Sequence, residues 1–313
     1  MKINENKNMM EDKILLAANL YYKNHLSQQE IAKRLNVSRP WVSKLLSKAQ
    51  DLGIVKVHIN SPISGNSTLE AQLMESYGIP YVKVIPENQS SKDYIALAAV
   101  NYFISQIQPN DVIGIGWGNA ISRFIDELVP LHIPDTQTVP LAGSFGTTFE
   151  TLPNYSSIQL AEKLEGTANV LHAPAFCSSK EEYEALISNQ TTKGLLTMAE
   201  HADIIVTGIG TFAASFLTRY HILSDADIQK LKDADAIGDI AMQFLSKDGR
   251  PIDLDLTRHL IKADIFKAKK NARSVLSIAE GREKAEIIHT VLSLDLVDAF
   301  FTSEETALAL LNL

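Results

Sequence analysis

The sequence predicts an α/β protein in two parts: a small amino-terminal winged helix-turn-helix, then a large, mostly parallel α/β domain. Three observations carry that prediction. Short helical patterns with capping signals occupy the start of the chain; a polar stretch containing Pro62 and Gly65 follows; beyond it, strand-length apolar runs alternate with helical segments. The expected boundaries are 1–59 for the first domain, 60–67 for a linker and 68–313 for the second.

Composition bounds the reading. A chain of 313 residues is long enough for two domains, and 45% hydrophobic with 21% charged residues suits a soluble protein with a sizeable core. A formal net charge of −8 argues against a protein coated in nucleic acid, yet leaves room for a small basic face on an acidic body. The single cysteine, Cys177, excludes an internal disulfide and a cysteine metal cage, and reads as a small buried hydrophobe. No run of ~18 apolar residues occurs and no signal peptide is evident, so neither membrane span nor export is expected, and the cytoplasm fits. No cofactor or metal site is expected.

Near Met10 a helical pattern begins, with Ile14, Leu15, Ala18 and Tyr22 at three- and four-residue spacing, ending near Asn24. The next helix opens on Ser27-Gln28-Gln29-Glu30, a capping box in which each side chain serves the other's amide. Asn36-Val37 makes a tight turn, Ser38 caps a third helix, and Pro40 is tolerated in its first turn. Val42, Leu45, Leu46, Ala49 and Leu52 form a one-sided apolar stripe that Gly53 stops. The opposite side carries Arg39, Trp41, Ser43, Lys44, Ser47 and Lys48, with no acid before Asp51. This is a helix-turn-helix, and the strand-like Ile54-Val55-Lys56-Val57-His58-Ile59 behind it predicts a wing. The expected partner is double-stranded operator DNA.

In the large domain a second capping box, Ser67-Thr68-Leu69-Glu70, starts a helix ending at Gly78. Strand-length runs follow at Tyr81–Ile85, Asp111–Ile115, Val139–Leu141, Asn169–Leu171, Ile204–Thr207, Ser274–Ile278 and Asp298–Phe301. Helical segments separate most of them, at Ile95–Ile107, Ala120–Leu128, Ile158–Leu164, Glu182–Glu200, Glu283–Leu292 and Glu304–Leu311. This alternation implies crossover units and a parallel sheet covered on both faces.

In such sheets ligands bind beyond the carboxyl ends of the strands. Four glycine-bearing loops are candidates: Gly114 to Asn119, Leu141 to Thr148, Gly208 to Thr211 and Glu280 to Lys284. Glycine lets backbone approach an anion closely, and free amides with the helix dipole favour negative charge. Arg282 and Lys284 add cations, and Asp239 adds a carboxylate able to accept from sugar hydroxyls.

These stretches together resemble the SorC family of bacterial sugar-responsive transcriptional regulators, which includes deoxyribonucleoside regulators of Bacillus. The likeness is carried by Leu20-Tyr21-Tyr22, Leu26 to Ala32, Val37 to Leu46, Gly114 to Gly118, Val206 to Gly210, Ile237 to Ile240 and Lys284-Ala285. It implies a sensor domain shaped like sugar-phosphate isomerases, and tetramers on DNA that a sugar or phosphorylated sugar rearranges. The DNA-facing candidates are then Gln28, Gln29, Ser38, Arg39, Trp41, Ser43, Lys44 and Lys48. The effector-binding candidates are Gly116, Gly118, Asn119, Gly143, Ser144, Phe145, Gly208, Gly210, Asp239 and Lys284. Some relatives carry an imine-forming lysine where this chain has Ala142, so reversible binding is expected. Relatives also often place threonine where this chain has Asn119-Ala120 after the Gly-Trp-Gly turn.

Two other classes fit parts of the sequence. A sugar-phosphate isomerase-like enzyme with a fused DNA-binding domain would use the same glycine loops, but needs a paired acid and base that the sequence does not single out. A structural adaptor would use the first domain for protein contacts.

Overall fold

The computed structural model describes residues 13–24, 26–52, 54–55, 65–88, 90–145, 152–211 and 223–313. The chain divides into two compact units, Met1–Ser61 and Pro62–Leu313.

The first unit packs three helices: α1 over residues 13–23, α2 at Gln28–Leu35 and α3 at Arg39–Asp51. Its core is Ile14, Ala17, Ala18, Leu20, Ile31, Ala32, Val42, Leu45, Leu46 and Ala49. The Ser27–Glu30 capping box forms as the sequence predicts, with the Ser27 amide donating to Glu30 Oε2 at 2.8 Å and the Glu30 amide to Ser27 Oγ at 3.3 Å. Asn36 ends α2 in the left-handed conformation, φ 53°, and so makes the expected turn.

Two expectations are corrected here. The last turn of α1, Asn19–Lys23, winds as a π-helix, and Leu15 and Tyr22 face solvent. Leu52 is also exposed, because the apolar stripe of α3 is already full at Ala49. The expected start at Met10, the stop at Gly53 and most of the wing, from Lys56 to Ile59, lie outside the described residues.

Among the described residues the second unit is a nine-stranded sheet between helical layers. Its strands are β1 Tyr81–Ile85, β2 Val112–Ile115, β3 Gln137–Pro140, β4 Thr167–Ala168, β5 Ile204–Gly210, β6 Ala236–Ile240, β7 Gln243–Ser246, β8 Ser274–Ile278 and β9 Ala299–Ser303. Their order is β1-β9-β8-β5-β2-β3-β4, parallel throughout, with β6 and β7 added as an antiparallel hairpin on the end of β5. From β2 the chain steps outward through β3 to β4; from β5 it steps the other way through β8 to β9. The order therefore reverses between β2 and β5, and the crevice at their carboxyl ends is where an open α/β sheet binds its ligand. Two apolar clusters cover the faces, one around Leu73, Ile205, Ile288 and Phe300, the other around Phe103, Ile115, Phe124 and Phe301.

Several local readings need correcting. Helix 67–77 is capped by Asn66, whose side chain accepts from the Leu69 amide, and not by Ser67. Glu70 is instead drawn to β1, where it accepts from the Val84 amide and pairs with Lys83 at 3.1 Å. The single helix expected over Glu182–Glu200 is two, Lys180–Ser188 and Gln190–Glu200, because Asn189 caps the second by accepting from the Thr191 and Thr192 amides. The strand expected at Asn169–Leu171 lies two residues earlier, since Asn154 Oδ1 takes the Leu171 amide out of the ladder. Helix 153–164 begins five residues before Ile158, with Pro153 in its first turn.

Candidate functional site

The β2–β5 crevice is built by close backbone approach. The Gly116 amide donates to the Val206 carbonyl at 2.8 Å, and a Cβ at Gly116 would stand 2.9 Å from Thr207 Oγ1. At Gly143 a Cβ would meet the Ala173 carbonyl at 2.6 Å. Both glycines are thus accounted for by packing. Gly118, by contrast, has φ +97° with open space around it and caps the helix that starts at Asn119. Trp117 turns inward and meets Phe145 edge to face, with ring centroids 5.2 Å apart, so the loops after β2 and β3 touch.

Gly208 and Gly210 do not form a loop after the strand, as the sequence reading had it. They continue β5, and Gly210 pairs with Asp239 of β6. A Cβ at Gly238 would fall 2.2 Å from the Gly210 carbonyl, so the hairpin can lie against β5 only with glycine there. This places the Asp239 carboxyl directly over the carboxyl end of β5, with Oδ1 3.2 Å from where a Cβ on Gly210 would be.

Asp239 is half-buried, and burial pushes its carboxyl up to about 6. The Met242 amide, 3.0 Å from Oδ2, and the charges of Lys284 and Lys262 work against that rise. Burial likewise pushes the Lys284 ammonium down, against the fields of Glu283, Glu280 and Asp239. Among the described residues the Lys284 ammonium makes no hydrogen bond or ion pair; its neighbour Glu280 is taken by Lys92 at 3.1 Å. A half-buried lysine and a half-buried carboxylate that feel each other's charge, with hydrogen-bonding positions left open among the described residues near a strand-order reversal, have the character of a ligand site.

The remaining predicted residues spread further. Ser144 accepts from the Asn154 amide group at 2.8 Å and is therefore engaged in holding its own loop. With Phe145 it borders an open cleft of about 690 Å³ lined also by Asn154, His172 and Phe176, which reaches neither Asp239 nor Lys284.

Sequence reasoning passed over Lys262 and Gln243. Residues around Lys262 lie antiparallel beside the loop after β3: Lys262 is the bridge partner of Ala142, the Ala263 amide donates to Leu141 and the Gly143 amide to Ile261, both at 2.9 Å. The Lys262 ammonium donates to Gln243 Oε1 at 3.0 Å. The one available signal was a charge interrupting the apolar run Leu260-Ile261-Lys262-Ala263.

In the first unit Gln29, Ser38, Arg39, Ser43, Lys44 and Lys48 are exposed. Gln28 and Trp41 are half-buried, and Trp41 packs on the helical core with the Lys13 ammonium 5.7 Å from its ring centre. That leaves the two lysines, Arg39 and the short polar side chains as an exposed basic face on α3, the arrangement a recognition helix needs.

No cluster of His, Cys, Asp or Glu able to hold a metal occurs among the described residues, and no helix among them is long and apolar enough to cross a membrane. The sequence matches the Sugar-bind family model, a sugar-binding domain, over residues 61–312. It is 26% identical over 310 residues to the transcriptional regulator LsrR of Klebsiella pneumoniae, covering 97% of this chain and 94% of that one. It is 27% identical over 304 residues to the erythritol catabolism regulatory protein EryD of Brucella abortus, covering 95% and 96%. Among solved structures, the full-length sorbitol operon regulator SorC from Klebsiella pneumoniae superposes with a TM-score of 0.76 at 23% identity, covering 95% of this chain and 97% of that one.

Proposed function

The chain belongs to the Sugar-bind family of sugar-binding domains, and on that premise we propose that it is a DNA-binding transcriptional regulator of a carbohydrate catabolism operon, switched by a sugar effector held at Asp239 and Lys284. The observation that carries the reading is a Lys284 ammonium with no hydrogen bond or ion pair among the described residues, whose field reaches the Asp239 carboxyl at the carboxyl end of β5. In this reading Asp239 accepts from sugar hydroxyls and Lys284 holds the anionic end of a phosphorylated sugar. The exposed face of α3, with Arg39 and Lys44, meets operator DNA in the major groove. Paired half-sites call for a two-fold dimer, and the assembly on DNA is a tetramer. The protein acts in the cytoplasm and needs no cofactor. Occupancy alters operator affinity because the effector prefers one quaternary arrangement.

One specific observation favours a second reading. A carboxyl near pH 6 beside two lysines pushed down by burial has the acid–base character that aldose–ketose interconversion requires. It ranks second because the relatives that align along the whole chain are named regulators.

The test uses operator fragments selected by the protein from a random-sequence library. Titration with a panel of sugars and sugar phosphates should change operator affinity by about 5–150-fold for one of them, a coupling of about 1–3 kcal/mol. Lys284→Gln should abolish that response. Turnover of any panel member would move the enzyme reading to first place, and an unchanged response in Lys284→Gln would displace the site.

A further inference from the structure

Lys262 is a charged residue that the effector reading does not use. Its backbone belongs to the β3 side of the site, beside Ala142, whereas Lys284 comes from the loop after β8. In the order β8-β5-β2-β3 those two origins are three strand spacings apart, about 14 Å at ~4.8 Å per strand. Asp239 hangs from the hairpin on β5, between them. Both lysines act on the Asp239 charge, and their backbones come from the β8 side and the β3 side of β5.

The acids nearest Lys262 are otherwise occupied. Asp264 Oδ1 caps a helix by accepting from the Phe266 and Lys267 amides, and its Oδ2 faces Lys267 at 3.8 Å. Glu200 accepts from the Asp264 amide and also faces Lys267 at 3.8 Å. Lys262 itself is in no ion pair among the described residues. Of its three N–H donors, one is used, on the neutral amide oxygen of Gln243. A lysine kept half-buried, held by a neutral partner and with two donors unused among the described residues is poised for an acceptor that those residues do not supply.

We propose that Lys262 is a second ligand-holding cation, so that the site takes a polyhydroxylated ligand with an anionic group at each end, one on Lys284 and one on Lys262. This rests on the reading of Asp239 and Lys284 as the effector site. Asp264 and Glu200 near Lys262, and Glu283 and Glu280 near Lys284, balance the charge of the two lysines, so a second anionic group is favoured by the open N–H donors of Lys262 and not by a net positive site. The second group is a phosphate or a carboxylate, and Gln243 positions the lysine for it.

The full-length protein is titrated calorimetrically with glucose 6-phosphate, fructose 1,6-bisphosphate, 6-phosphogluconate and inorganic phosphate. The expected result is that at least one ligand with two anionic groups binds tenfold or more tighter than the single-anion sugar phosphate. Which of the two does so identifies phosphate or carboxylate as the second group. Lys262→Gln should bring that ratio to within threefold, and Lys262→Arg should keep part of the preference. A thermal midpoint close to the parent's certifies the fold of each variant; Lys262→Met replaces any variant that fails it. The proposal is overturned if no ligand with two anionic groups is preferred, or if Lys262→Gln preserves the preference. In either case the Asp239–Lys284 site still stands when Lys284→Gln abolishes whatever binding the parent shows. If Lys284→Gln binds every ligand like the parent, the underlying site reading fails with it.

Discussion

The Asp239 carboxylate accepts from the Met242 amide at 3.0 Å, closing a two-residue turn in which Ala241 and Met242 both have positive φ, 49° and 63°. Such turns normally use Asn-Gly, because left-handed backbone costs other L-residues about 1–2 kcal/mol apiece. Asp239 is therefore a structural clamp as well as a candidate ligand group. Replacing it with Ala frees a turn amide and should lower stability by about 1–3 kcal/mol. Asp239→Asn keeps an acceptor and should preserve the turn while removing the charge. Urea denaturation of the two variants checks this, and equal stability would show that the turn does not depend on the bond.

The same carboxyl predicts a pH dependence. Its value is raised from 3.8 to about 6 on folding, so the ligand-free protein binds the Asp239 proton more tightly than the unfolded chain does. That contribution to stability is fully present below pH 3.8 and is lost as pH rises through about 6. On the proposed site, effector binding runs the other way, because hydroxyl groups would donate to the carboxylate form; affinity should fall as pH drops below about 6. A phosphate ligand also gains a proton near pH ~6. Asp239→Asn is the control, since it retains the ligand's titration and removes the protein's. Parent and variant with the same slope between pH 5 and 7 would rule Asp239 out as the titrating group.

How legible this was in the sequence varied with the kind of signal. Alternating strands and helices announced the parallel sheet, and strands such as Tyr81–Ile85 and Ser274–Ile278 coincide with the runs that predicted them. The β6–β7 hairpin was invisible because its turn falls on Ala241-Met242, inside the stretch from Ile240 to Leu245 that is apolar except for Gln243, where no Gly, Asn or Pro marks a reversal. Without the hairpin Gly208 and Gly210 looked like a loop, and nothing tied Asp239 to β5. Lys262 was missed because only the tertiary pairing with Ala142 brings it to the site. Asp239 and Lys284 were read as a carboxylate and a cation near the glycine loops, and family likeness then joined them into a site without showing how it is built.

On α3 the buried face, Val42, Leu45, Leu46 and Ala49, fixes which side is free. Arg39 and Lys44 are exposed on that side. Arg39→Ala should weaken operator binding by about 1–3 kcal/mol and relax sequence preference if the guanidinium reads a base. Lys44→Ala should weaken all sequences alike and reduce the salt slope by about 1 if it holds a phosphate. Binding measured across a salt series separates the two roles, and parental affinity in both variants would remove α3 as the recognition helix.

Assembly can be argued from what the first unit leaves uncovered. Leu15 and Leu16 on α1 are 49% and 47% exposed, and Tyr22, seven residues beyond Leu15, is 37% exposed. Leu15 and Leu16 thus leave an apolar strip on a helix whose other side is already buried against Ile31 and Leu45. A lone recognition helix reads few base pairs, and two-fold symmetry doubles the readout by pairing half-sites. A strip on α1 joined to its own copy would fix the half-site spacing. Leu15→Glu with Leu16→Glu should leave the helical core intact, since neither side chain is buried, while placing like charges across the two-fold contact. Sedimentation velocity at micromolar concentration should then show a smaller assembly than the parent's, with operator affinity lowered tenfold or more. A parent that sediments as a monomer with operator present would refute the symmetric model, and a doubly substituted protein that sediments like a tetrameric parent would place the contact elsewhere than α1.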